Sequence, residues 1–262
     1  MTPPAFQAKT ILVVGAGRQD GIAFACARML AAQGGTVALA DLPGSDAKNL
    51  VELLPEQCGH SYHPLDVTDS SSVTRAVASV VARHGRIDAA LLGSAVLRNQ
   101  PFLDIAAEDW ERTFAVNCTG MFVTAQAVAR QMLGNGGRIV AVASNAGRVP
   151  RLHNASYGAS KAAVIHLVKC MALELAPYKI NVNALCPGST ATSMALDNKS
   201  EGNPEKIDNL IRGSLDEWRT GIPLGRLADA DDQAAAATFL LSDAARHITG
   251  QALCVDGGQT FC

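Results

Sequence analysis

Within residues 144–161 of the 262-residue chain, S-N-A-G-R-V-P-R-L-H-N-A-S-Y-G-A-S-K, three side chains have the types and spacing for proton chemistry. Tyr157 and Lys161 stand four residues apart in a helix-forming segment, so both project from one helical face and the ammonium can sit beside the phenol. A cation a few ångströms away favours the phenolate and draws the tyrosine pKa from about 10 toward working pH, as a general acid/base requires. Ser144, thirteen residues earlier at the end of an apolar strand, can offer a hydroxyl to the same place. On its own Y-x-x-x-K also describes a half-buried tyrosine with a surface lysine, so the surrounding elements must decide.

Those elements begin with a β-branched apolar strand at residues 10–14, then G-A-G-R-Q-D-G-I-A, then an alanine-rich helix at 24–33. Strand, glycine loop and helix in that order let backbone N–H groups and the positive helix end approach a pyrophosphate, through Gly15, Gly17, Arg18, Gly21 and Ile22. The plain alternative is a βα turn whose glycines only make it tight. A second strand at 36–40 ends at Asp41, whose carboxylate can accept from adenosine ribose hydroxyls and repel a 2′-phosphate, favouring NAD over NADP. A turn aspartate is the alternative, and Arg18, able to serve a phosphate, argues against the NAD preference. Asp66 and Val67 end a third strand, placed for an adenine amino group and ring. A fourth strand at 87–92 runs into Gly93-Ser94-Ala95, where small residues permit close cofactor approach. Strands alternating with helices predict an α/β fold, a Rossmann-type, doubly wound parallel sheet of about seven strands flanked by helices in three layers.

Toward the C-terminus a long amphipathic helix at 109–132 carries Asn117 among apolar neighbours, where an amide must find partners. A fifth strand at 139–143 leads into Ser144, a helix at 157–176 follows, and a sixth strand at 180–185 leaves through C-P-G-S-T-A-T-S-M. That rigid loop offers Pro187, Gly188, Thr190 and Thr192 to the cofactor, with Thr192 in reach of a phosphate or the nicotinamide amide. The polar stretch at about 193–227 reads as a substrate lid, or equally as a surface excursion or oligomer contact. The remainder closes a single domain spanning 1–262.

Composition excludes several classes. With 48% hydrophobic residues and a formal net charge of -2, the chain can bury a large core and shows no basic stripe for nucleic acid. No apolar run suggests export or a membrane span, so a cytoplasmic protein is expected. Cys26, Cys58, Cys118, Cys170, Cys186, Cys254 and Cys262 are odd in number and scattered, which favours buried reduced thiols over disulfides or zinc, and the histidines lack ligand spacing. No metal is expected.

Taken together, G-A-G-R-Q-D-G-I-A, Asp41, D-V at 66–67, V-N at 116–117, Ser144, Y-G-A-S-K, N-A-L-C-P-G at 183–188, Thr192 and V-D-G-G at 255–258 resemble the short-chain dehydrogenase/reductase family in order and spacing. The resemblance covers about residues 9–258. It implies that Tyr157 exchanges a proton with the substrate oxygen and that Lys161 lowers its pKa and holds the nicotinamide ribose. Ser144 would bond the alcohol or carbonyl oxygen, and Asn117 would shape a helix irregularity holding a relay water near Lys161. The family's members are commonly tetramers or dimers, so a homotetramer or dimer is expected.

Two departures stand out. Val14 precedes Gly15, five residues separate Gly15 from Gly21, and Ala23 replaces a glycine, a spacing similar to the divergent enoyl reductases of the same superfamily. L-G-S-A at 92–95 stands where the family commonly has N-N-A-G. The expected activity is NAD(H)-dependent interconversion of a secondary alcohol and a ketone, with 2-enoyl thioester reduction or non-catalytic dinucleotide sensing as alternatives. Arg98, Arg148, Arg151 and His153 border the expected pocket, suggesting a polar or anionic small-molecule substrate against the plainer reading of solvated loop charge.

Overall fold

The parallel sheet is the centre of the structure, a computed structural model that describes residues 5–55, 59–194 and 204–261. Six strands come first, β1 (Thr10–Val14), β2 (Thr36–Asp41), β3 (Ser61–Pro64), β4 (Ala89–Leu92), β5 (Gly137–Val142) and β6 (Ile180–Pro187). A two-residue hairpin, β7 (Gly213–Ser214) with β8 (Arg219–Thr220), precedes the last, β9 (Ala252–Val255). The main sheet has the order β3-β2-β1-β4-β5-β6-β9 with all neighbours parallel.

Alternation along the strands builds two cores. Leu12 and Val14 of β1 join Ala38 and Ala40 of β2 on one face, while Ile11 and Val13 join Val37 and Leu39 on the other. The first face is covered by α3 (Ser70–His84), α5 (Met121–Met132) and α6 (Ala155–Leu175), the last through Val164, Ile165, Val168 and Ala172. The second is covered by α1 (Ile22–Ala32) and α8 (Ala230–Leu241), whose alanines let the two helices approach closely. Apolar residues on both faces oblige a parallel sheet to carry helices on both. A short α2 (Ala47–Leu50) and α4 (Ala107–Phe114) complete the ordered first half.

Strand order reverses between β1 and β4, which leaves a crevice above their carboxyl ends. Gly15 leaves β1 with φ +85°, and a Cβ there would lie 2.6 Å from Gly93 C and Ser94 N. Small residues at both strand ends therefore let two backbones meet, beyond any room they make for a ligand.

Three sequence expectations need correcting. The helix predicted over 109–132 is not continuous: α4 passes through a π-helical turn, Ala115–Gly120, before α5. The strand predicted over 87–92 begins at Ala89; just before it the Asp88 N–H donates to the Thr10 carbonyl at 2.8 Å while its carboxylate accepts from the Thr10 N–H at 2.9 Å. The stretch at 193–227 is more ordered than its polarity suggests, although residues 195–203 lie outside the described ones. Its helix α7 (Pro204–Arg212) and the hairpin are held by buried Leu210 and Ile222, and Ile207, Leu210 and Ile211 fall at helical spacing.

Candidate active site

The three candidate side chains come from two kinds of local structure, a strand end and a helix. Ser144 follows β5 in extended backbone, its hydroxyl accepting from the Ala146 N–H at 3.1 Å while capping a 3₁₀ turn. Its hydroxyl lies near enough to the Tyr157 phenol to pull that group's pKa down. Tyr157 and Lys161 lie on consecutive turns of α6, with the Lys161 Nζ 5.6 Å from the tyrosine ring centroid. Lys161 is 1% exposed and donates to the Val142 carbonyl at 2.7 Å.

Burial decides the protonation of this pair, and here the electrostatic expectation is corrected. Tyr157 is pushed up to about 12 because the surrounding protein disfavours a phenolate, with the Ser144 hydroxyl pulling the other way. Lys161 is pushed down to about 8 by the same loss of solvent. The ammonium donates to the Val142 carbonyl at the end of β5 and lies over the tyrosine ring, and its charge does not outweigh desolvation of the phenol.

Asn117 is fully buried in the π turn. Its Oδ1 accepts from the Val96 N–H at 2.8 Å, and its Nδ2 donates to the Val96 carbonyl at 3.0 Å and to Ser160 Oγ at 3.1 Å. The expected helix irregularity is present, and the asparagine ties the segment after β4 to the turn of α6 that bears Lys161. Its amide serves protein partners, which is the plainer of its two roles.

The nucleotide side is built from backbone. Gly21 caps α1 without any side-chain hydrogen bond, leaving the first N–H groups of that helix unclaimed by a cap, and Gly17 would place a Cβ 2.8 Å from Asp41 Oδ2. Asp41 accepts from the Gly17 N–H at 2.6 Å and from its neighbour Leu42 N–H at 2.7 Å. Arg18 donates to Ser193 Oγ at 2.6 Å, across the cleft. Asp66 accepts from the Thr68 N–H at 2.9 Å and hydroxyl at 2.7 Å, and buried Val67 packs where a Cβ on Gly120 would come within 2.8 Å. An uncapped helix start behind a loop with glycines at 15, 17 and 21 suits a pyrophosphate, so these residues fit a dinucleotide.

A cavity of about 380 Å³ brings together Gly15, Arg18, Gly21, Ile22, Gly93, Ser144, Tyr157, Lys161, Pro187, Gly188, Thr190 and Thr192. Gly17, Asp41, Asp66, Val67 and Asn117 stand outside its lining. Of the basic residues singled out above, Arg151 and His153 reach it, whereas Arg98 is paired with Asp109 and Arg148 donates to Cys254 Sγ at 3.6 Å.

Several contributors were missed from sequence. Asn145 donates to Asp256 Oδ2 at 3.3 Å and Gln259 Oε1 at 3.0 Å, so the D-G-G turn braces the residue next to Ser144. Gly188 allows this, since a Cβ there would meet Asp256 Cβ at 2.4 Å. Cys186 lies beside Tyr157 and Lys161 and pairs in register with Cys254 on β9. The two thiols perturb each other, their interaction raising the Cys186 pKa and lowering that of Cys254, on which Arg148 acts in the same downward sense. Only strand register could have joined them. Arg219, on the hairpin, also lines the cavity. Among the described residues no group of three or more His, Cys, Asp or Glu is placed to hold a metal ion, and no helix is long and apolar enough to cross a membrane.

Comparison with known proteins agrees with this geometry. A family model described as "Enoyl-(Acyl carrier protein) reductase" matches residues 15–260. The chain is 39% identical to 2,3-dihydro-2,3-dihydroxybenzoate dehydrogenase of Bacillus subtilis, covering 100% of this chain and 99% of that protein. It is 37% identical to sorbitol dehydrogenase of Cereibacter sphaeroides, over 95% of this chain and 96% of that one. Among solved structures, levodione reductase superposes with a TM-score of 0.89 at 27% identity, covering 97% and 98% of the two chains. With the seven-stranded parallel sheet and a match over nearly its whole length, the chain belongs to the short-chain dehydrogenase/reductase family, oxidoreductases of alcohols and ketones that use a nicotinamide dinucleotide.

Proposed function

We propose that the protein is an NAD(H)-dependent oxidoreductase interconverting a secondary alcohol and a ketone, with Tyr157 as the acid/base. The observation that carries this is one cavity lined by Ser144, Tyr157 and buried Lys161 together with the glycine cradle. In oxidation the alcohol carbon loses a hydride and its oxygen a proton as the C=O forms. When bound, NAD+ supplies the hydride acceptor. Tyr157 takes the proton, Ser144 holds the same oxygen, and Lys161 supplies the positive charge that makes the transient phenolate tolerable. Because burial holds the phenol protonated, the site is biased toward donating a proton to a carbonyl, and oxidation calls for higher pH.

Preference for NAD is supported by Asp41 at the end of β2, and by Arg18 being engaged with Ser193 instead of turning to a 2′-phosphate. Asp66 and Val67, at the end of β3, are assigned to the adenine side. The relatives named for dihydrodihydroxybenzoate and sorbitol point to an alcohol flanked by a second hydroxyl. Residues 193–227 act as the substrate lid, and the chain works as a homotetramer or dimer in the cytoplasm.

The test is reduction of NAD+ and of NADP+ by purified protein with cyclic vicinal diols, linear polyols and 3-hydroxyacyl thioesters, followed by nicotinamide absorbance. Turnover of a diol with NAD+ favoured supports the reading. Reduction of a 2-enoyl thioester with no alcohol or ketone activity replaces it with the enoyl reductase alternative that the glycine spacing favours.

A further inference from the structure

The cavity that holds Ser144 and Tyr157 has a second polar wall with no part in proton transfer. Arg151 enters from the loop between β5 and α6, and Arg219 from β8. Both line the same cavity, and the Arg219 pKa is lowered to about 10, first by burial and then by the charge of Arg151. Arg219 donates to Ser189 Oγ at 2.7 Å, and its Nε is buried without a hydrogen-bond partner. Glu217, exposed at the hairpin tip, is the nearby acid, and it counts for less at Arg219 than burial and Arg151 do. Lys206, exposed on α7, adds positive charge at the same mouth.

Arg219 has lost solvent and lies near a second cation, a cost that an anion reaching its unpartnered Nε removes. A guanidinium presents a planar donor fork that matches a carboxylate in particular. We propose that Arg151 and Arg219 form a carboxylate-binding subsite, so that the substrate is a hydroxy acid whose carboxylate docks on this wall while its secondary alcohol meets Ser144 and Tyr157. This rests on the alcohol/ketone reading above and adds the acid group to it. The hairpin that carries Arg219 thereby becomes the specificity element of the lid.

Binding separates the two claims. Benzoate and benzamide, rings of equal size differing in charge, are titrated calorimetrically into the NADH-loaded wild type, Tyr157→Phe, Arg219→Gln, Arg219→Lys and Glu217→Gln. Expected are benzoate binding in the wild type and in Tyr157→Phe, a loss of about tenfold or more in Arg219→Gln with partial rescue in Arg219→Lys, and a modest gain in Glu217→Gln. Benzoate bound no better than benzamide, or Arg219→Gln folded with an unchanged melting temperature and unchanged benzoate affinity, overturns the subsite. Inorganic phosphate displacing benzoate at lower concentration than acetate does overturns the choice of carboxylate. Should Arg219→Gln fail to fold, the Glu217→Gln result decides, since an exposed neutralisation that leaves benzoate affinity unchanged also counts against it. Turnover is read in parallel with paired cyclic diols with and without a carboxyl group. Activity on neutral diols alone keeps the alcohol dehydrogenase reading and sinks the subsite, whereas benzoate binding with no turnover of any alcohol does the reverse.

Discussion

On the β1–β3 side of the cleft, the contacts that shape the site run through backbone: Gly15 against Gly93, the Gly17 N–H on Asp41, an uncapped start to α1. On the β5–β6 side they run through side chains that have lost solvent, buried Lys161 pushed down and half-buried Tyr157 pushed up, with half-buried Arg219 of β8 pushed down as well. On the proposed function the first side would recognise a group common to every dinucleotide and needs only N–H groups and room. The second would move a proton and choose a substrate, accepting desolvation in exchange for reactivity. Damage to the two sides should therefore look different.

The largest effect is expected on the reacting side. Tyr157→Phe keeps the ring and its packing and removes only the transferable proton, so turnover should fall roughly 10²–10⁴-fold while NADH affinity, read by nicotinamide fluorescence, stays within error. A parallel loss of cofactor binding would mean that the two sides are not separable. The counterpart on the backbone side is Gly15→Ala. A side chain at φ +85° costs about 1–2 kcal/mol for handedness alone, before the overlap at 2.6 Å with Gly93 and Ser94. Stability to urea and cofactor affinity should fall together, with the β1 and β4 ends forced apart.

How much of this was legible follows the same division. Glycines, an acid at a strand end and alternation in 10–14 are local signals, and they located the sheet, the crevice and the cradle. Tyr157 and Lys161 were legible because a helix fixes their spacing. What was not legible depends on elements distant in sequence meeting. The Cys186–Cys254 register and the Asn145–Asp256 bond join residues on β6, β9 and the loop after β5, and Arg219 reaches the cavity from β8, a strand distant in sequence from Ser144 and Tyr157. The direction of the Tyr157 and Lys161 shifts was missed for a related reason. Spacing supplies the nearness of charges, but burial, which here dominates, is a property of the whole fold.

Lys161 gives the pH test of that balance. Its folded pKa of about 8 lies below the ordinary 10.5, so between those values the unfolded chain holds a proton that the folded chain has released. Stability then rises with pH across that window, and the penalty is full below pH 8. At about 1.4 kcal/mol per tenfold change, the buried ammonium costs on the order of 3 kcal/mol at neutral pH. Lys161→Met forfeits the bond to the Val142 carbonyl, about 1 kcal/mol, and should still be the more stable protein by roughly 2 kcal/mol at pH 7. Denaturation from pH 7 to 9.5 should show the wild type closing that gap as pH rises. Tyr157, shifted upward, acts in the opposite sense only above pH 10. A constant gap would assign the lysine no desolvation cost.

The smallest effect is expected at Asp41, and it probes whether the backbone side reads any chemistry at all. Both carboxylate oxygens already accept backbone N–H bonds, from Gly17 and Leu42, which is what a turn aspartate would do. A carboxylate oxygen has room for a second donor, so a ribose hydroxyl can add to the same atoms. Asp41→Ser keeps a short acceptor for the Gly17 N–H and removes the charge that repels a 2′-phosphate. If Asp41 only braces the loop, kcat/KM for NAD+ and NADP+ fall in proportion, together with the melting temperature. If it reads the ribose, the NAD+/NADP+ ratio of kcat/KM drops by about tenfold, roughly the 1.4 kcal/mol of one charge-assisted bond, with stability nearly unchanged. The ratio distinguishes the two because a loosened loop weakens both cofactors alike, and only a lost charge discriminates between them.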